Sequence, residues 1–140
     1  MDIGLLGFAA ALGLAACGSA LGAGTAGMAA VGAWKKCFAQ NKPAPFILVA
    51  FVGAPLTQTI YGLILMNTII ASSLPGAAKF AAGIFGGLGM GFSAWYQGKA
   101  GAAACDALAE TGKGFSNYLL VLGLVETVAL FVMVFLMISL

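Results

Sequence analysis

Four long apolar stretches, at roughly 3–33, 45–71, 79–105 and 116–140, constrain this chain more than any other feature. Each is longer than the ~20 residues a helix needs to cross the hydrocarbon of a bilayer. Between them lie short polar breaks. The first runs from Trp34 to Pro45 with Lys35, Lys36 and Lys42. The second is Ser72 to Gly76, and the third is Asp106 to Phe115 with Asp106, Glu110 and Lys113. Only 7% of the 140 residues are charged and 62% are hydrophobic, whereas a soluble domain carries about 25% charged residues. The side chains therefore suit lipid better than water. These features describe one all-α membrane domain over residues 1–140, with four transmembrane helices.

What the chain lacks narrows its chemistry. Six lysines are its only cations, and there is no histidine. That removes the commonest general base and the commonest zinc ligand. A net charge of +2 is no nucleic-acid footprint. Cys17, Cys37 and Cys105 are odd in number and scattered, without a C-x-x-C, and read as small buried thiols rather than a disulfide or metal framework. Gly22-x-Gly24-x-x-Gly27 spells a dinucleotide fingerprint but lies inside an apolar stretch with no strand before it, so its glycines serve helix packing. No phosphate-binding P-loop is spelled anywhere. The start, Met1-Asp2-Ile3-Gly4, has no basic segment of the secretory kind, so the first apolar stretch is expected in the mature protein.

Lysine placement predicts orientation. Three lysines in the first break and Lys113 in the third, with Lys99 near a helix end, outweigh Asp2 and Lys79 on the other side. The first and third breaks are expected in the cytoplasm and both termini outside. Lys99 is expected to snorkel to the headgroups. Asp106, Glu110 and Lys113 read as a solvated loop.

The chain repeats itself. Ser19–Ala30 (SALGAGTAGMAA) matches Ser93–Ala104 (SAWYQGKAGAAA) at seven of twelve positions. LTQT from Leu56 aligns with LVET from Leu124, which sets Gln58 opposite Glu126. Two helical hairpins in tandem, 1–72 and 73–140, follow from this, both crossing in the same sense. Stretches one and three are rich in Gly, Ala and Ser, and stretches two and four in Leu, Ile, Val, Met and Phe. Small residues let helices approach closely in lipid. Helices one and three should form a tight inner layer and helices two and four a bulkier outer one. Many such pairs side by side would curve into a ring.

Glu126 is the chief candidate for function. It sits near the centre of the fourth stretch, in VLGLVETVALFVMVFL, with no cation beside it. A charge at that depth costs about 2.5–3.5 kcal/mol or more, and such groups are usually functional. Ala54, Thr57, Gln58 and Tyr61 share one face of the second helix at i, i+3, i+4 and i+7. Pro55 loosens the backbone bonding there. At 1.5 Å per residue, Gln58, Gln97 and Glu126 fall in one slab roughly 10–20 Å from the cytoplasmic side. Plain interhelical hydrogen bonding, ~0.6 kcal/mol per bond, would also account for the stripe. Yet a carboxylate, two amide oxygens, a hydroxyl and a loosened carbonyl are all hard oxygen donors of the kind that bind Na⁺ in transporters. The set is richer than a bare proton needs.

With these residues in view, the chain resembles the proteolipid subunits of V-type (A/V-type) rotary ATPases. The resemblance covers nearly the whole chain and rests on PLTQTIYG from Pro55, SAWYQGKAG from Ser93 and LVETVALF from Leu124. It implies a homo-oligomeric rotor ring carrying one ion per copy on Glu126, without catalysis of its own. It implies Na⁺ held by Glu126, Gln97, Gln58, Thr57 and the Ala54 carbonyl, supported by Tyr61, with Thr127 and Pro55 alongside. It further implies a static membrane subunit bearing an arginine, central-stalk subunits on the cytoplasmic loops, and a prokaryotic plasma membrane. Leu56 departs from the pattern, where a smaller residue can occur. With an amide in place of the first hairpin's acid, each copy carries half the ions per helix, which favours ATP-driven pumping. The alternatives are the same ring carrying H⁺, a small four-helix cation-coupled exporter, and a pore-forming or structural membrane protein. Such exporters place their glutamate early in the chain. A structural role leaves the Glu126 cluster unexplained.

Overall fold

A computed structural model describes residues 3–140, and among these every regular element is helical. The first helix is Gly4–Ala39, the second Phe46–Ala71, the third Gly76–Thr111 and the fourth Phe115–Ser139. Helices are what such a sequence permits in lipid, because each satisfies its backbone N–H and C=O groups internally.

The helices run well past the apolar stretches. The first continues six residues beyond 33 through Trp34, Lys35 and Lys36 to Ala39. The third takes in Asp106 and Glu110, leaving only Gly112–Gly114 as the third connection. Loss of hydrophobicity does not stop a helix, since Lys, Glu and Ala are good helix formers. The stops are conformational. Asn41 has φ 53°, and Pro43 and Pro45 follow it. Gly112 and Gly114 have φ 67° and 92°, in the left-handed region that favours glycine. The expected solvated loop is thus largely helical, and Glu110 pairs with Lys36 of the first helix at 3.8 Å. Asp2, used with Lys79 in the orientation argument, lies outside the described residues.

Among the described residues three helices, the first, second and fourth, are long and apolar enough to cross a membrane. The third matches the first in length at 36 residues but is not among them. Its apolar stretch is built on Gly and Ala, whose small side chains carry little hydropathy, and it includes Lys79 and Lys99.

The first and third helices run parallel in backbone contact, as their small residues predict. A Cβ at Gly18 would strike the backbone of Gly91, and one at Gly98 would strike that of Gly22. The second helix lies antiparallel to the first, with Gly62 against Ala15 and Pro55 against Gly22. The fourth lies antiparallel to the third, with Ser93 bonded to the Val125 carbonyl. Two apolar clusters fill the interior. One gathers Ala11, Ala15, Leu65, Ile69, Met90 and Met133. The other gathers Ala30, Leu48, Phe51, Cys105, Leu108 and Leu122. The second and fourth helices expose Ile60, Leu63, Leu120, Leu124, Phe131 and Phe135 on their outer faces.

All three cysteines are free, but Cys17 is exposed, against the expectation of a buried thiol. It faces an apolar groove between the first and third helices with Leu14, Leu88 and Trp95. The Lys99 ammonium lies over the rings of Trp95 and Tyr96, 4.4 and 4.5 Å from their centroids.

A buried polar chain on Glu126

Between the two apolar clusters lies a band of polar side chains. Its anchor is the break in the second helix at Pro55. Proline has no N–H to donate and its ring crowds the preceding turn, and residues Ala54–Leu56 tighten into a 3₁₀ turn. The Thr57 hydroxyl lies 3.0 Å from the Ala54 carbonyl and 3.1 Å from Gln58 Oε1. One hydroxyl proton serves both, so these two contacts share it.

Gln58 and Gln97 have no accessible surface. Gln58 Nε2 donates to Gln97 Oε1 at 2.8 Å. Gln97 Nε2 donates to Glu126 Oε2 and to the Leu122 carbonyl, each at 3.0 Å. The Tyr61 hydroxyl donates to Glu126 Oε1 at 2.7 Å. The result is one continuous chain of oxygen-bearing groups from Ala54 to Glu126, drawn from three helices. Buried polar groups stay this well partnered because an unmade bond there costs about 1–3 kcal/mol. Glu126 itself is half-buried, at the edge of the chain, while both glutamines are sealed inside.

Ala54, Thr57, Gln58, Tyr61, Gln97 and Glu126 therefore come together. Thr127 does not join them: its hydroxyl turns back to the Leu124 carbonyl of its own helix at 2.6 Å. Leu56 points outward and is exposed. Two participants escaped the sequence reading. The Leu122 carbonyl accepts from Gln97, and a backbone acceptor has no residue-type signature. Ser93 donates to the Val125 carbonyl at 2.9 Å, and its place one turn before Gln97 was the available signal.

Comparison with known proteins meets this geometry. Residues 80–139 match the family model for the ATP synthase C subunit. That span covers the third and fourth helices, which carry Gln97 and Glu126. Over that span the chain is similar to the C subunit of ATP synthases. It is also 33% identical over 132 residues to the A-type ATP synthase subunit K of Methanocaldococcus jannaschii. That alignment takes in 92% of this chain and 57% of the relative, so the chain spans a little over half the relative's length. The SAWYQGKAG and LVETVALF segments behind the family expectation lie within residues 80–139, while PLTQTIYG lies outside them.

Proposed function

We propose that this chain forms the rotor ring of a rotary ATPase and carries Na⁺ across the membrane on Glu126. On this reading all four helices span the bilayer as two tandem hairpins. Copies stand side by side with the first and third helices inside, and both termini face out. The third helix crosses because it runs parallel to the first in backbone contact, sharing its depth. The observation that carries the reading is the chain of oxygens from the Ala54 carbonyl through Thr57, Gln58 and Gln97 to Glu126. These are the hard donors that a small cation takes in place of water.

The physics of transport follows from the setting of Glu126. A bare carboxylate cannot face lipid cheaply. A bound cation cancels its charge, so the loaded site can pass through the lipid-facing arc of a turning ring. Where a static subunit presents water and an arginine, the site exchanges its ion. The half-buried position of Glu126 suits such exchange, and the sealed glutamines suit selection. Central-stalk subunits would seat on the connection at 40–45 and the glycine turn at 112–114. With Gln58 at the repeat position of Glu126, one ion travels per four helices, a gearing that favours ATP-driven pumping. The short connections fit a prokaryotic plasma membrane.

Equilibrium binding of radioactive sodium to the purified protein tests the reading. Saturable binding, abolished by Glu126→Gln and competed by protons, is expected. Saturable proton uptake without sodium binding would assign the ring to H⁺ instead. Resistance to toxic cations conferred on intact cells would favour the exporter.

A further inference from the structure

Ser19 lies on the first helix, 2% exposed, and its hydroxyl is the one fully buried side-chain polar atom among the described residues with no hydrogen-bond partner. A buried hydroxyl left so costs about 1–3 kcal/mol, which calls for an explanation. Its surroundings supply one. Ala15, Ser19 and Gly22 share one face of the first helix at i, i+4 and i+7, and all three are buried. Pro55, Gln58 and Gly62 share the facing side of the second helix, also buried. Gly62 abuts Ala15 and Gly22 abuts Pro55. Between these two contacts Ser19 stands opposite Gln58.

The repeat sharpens the point. Ser93, which aligns with Ser19, uses its proton on the Val125 carbonyl at 2.9 Å. Ser19 makes no corresponding bond. Meanwhile Gln58 Nε2 donates to Gln97 Oε1, an oxygen that a cation on Glu126 would need. An N–H and a cation compete for the same lone pairs, so the Gln58 amide must turn aside when an ion enters. Its N–H then needs a buried acceptor.

We propose that Ser19 is a positioning residue of the ion site, its hydroxyl accepting the Gln58 amide N–H when that amide yields Gln97 Oε1 to a bound cation. The inference rests on the sodium-carrying reading above. Ser19 makes no bond to the carboxylate, so it acts on cation affinity and leaves the acid's own reactivity alone.

The test uses the purified full chain, with Ser19→Ala and Ser19→Cys as variants. Cysteine keeps the volume and offers only a weak acceptor. Modification of Glu126 by a hydrophobic carbodiimide is followed across a sodium titration, and in sodium-free buffer across pH. Both variants should need about three- to tenfold more sodium for half-protection, the loss expected for one hydrogen bond. Their sodium-free pH profiles should overlay that of the unmodified sequence. Unchanged sodium midpoints overturn the inference alone. Sodium midpoints and pH profiles that move together also overturn it, since that marks a general loosening of the site. If sodium protects none of the three proteins, the sodium reading fails and this inference falls with it.

Discussion

Tyr61 reaches from the second helix to the fourth and places its hydroxyl 2.7 Å from Glu126 Oε1, closing the side of the carboxylate that Gln97 does not cover. A hydrogen bond to a charged group contributes about 1.5–3 kcal/mol, and this one also fixes the rotamer of the acid. Tyr61→Phe keeps the ring and removes the donor. Sodium affinity should fall by about tenfold or more, as about 1.4 kcal/mol is a factor of ten. Equilibrium sodium binding by the folded variant checks this.

Gln97 has no surface exposure and joins three partners, Gln58, Leu122 and Glu126. Gln97→Leu fills the space but strands the Gln58 N–H and removes the amide donor to Glu126. The variant should lose sodium protection of Glu126 and be less stable by about 1–3 kcal/mol, read from thermal unfolding in detergent.

The contact between the first and third helices depends on glycine at particular places. Gly91→Val should prevent that approach, because a Cβ there would strike the Leu14 carbonyl. Gly24→Ala should be tolerated, since nothing lies within 4 Å of a Cβ at that position. Size-exclusion chromatography of the two purified variants should show a disrupted species for the first and the native elution for the second.

The Lys36–Glu110 pair links the same two helices at their far end, with both side chains more than half exposed. Exposed pairs contribute about 0–1 kcal/mol and weaken with salt. Glu110→Gln should change thermal stability by less than about 1 kcal/mol, and raised ionic strength should shrink even that difference.

The site was legible in the sequence to an unusual degree because membrane helices make polar residues conspicuous. Glu126 and Gln97 stand out in apolar surroundings, and helical periodicity alone puts Ala54, Thr57, Gln58 and Tyr61 on one face. Pro55 marked where the backbone loosens. Helix ends were less legible. Hydropathy reports where lipid stops, while Asn41, Gly112 and Gly114 decide where the helix stops, so Lys35, Lys36 and Glu110 proved helical. Thr127 shows a different limit: adjacency to Glu126 in sequence turns its side chain about 100° away on a helix. Cys17 was misjudged because composition cannot say which side of a packed helix meets the interior. Ser19 was visible only as part of a repeat, and its lack of a partner is a property of packing.

The most direct test of the central claim is to treat the purified membrane protein with a hydrophobic carbodiimide, with and without Na⁺, and to locate the modified residue by mass spectrometry. The reagent attacks a protonated carboxyl in an apolar setting. Labelling confined to Glu126 and suppressed by Na⁺ at constant pH is the predicted result. Labelling of Glu126 that only raised pH suppresses would contradict sodium carriage, and no labelling of Glu126 under any condition would contradict the carrier role itself.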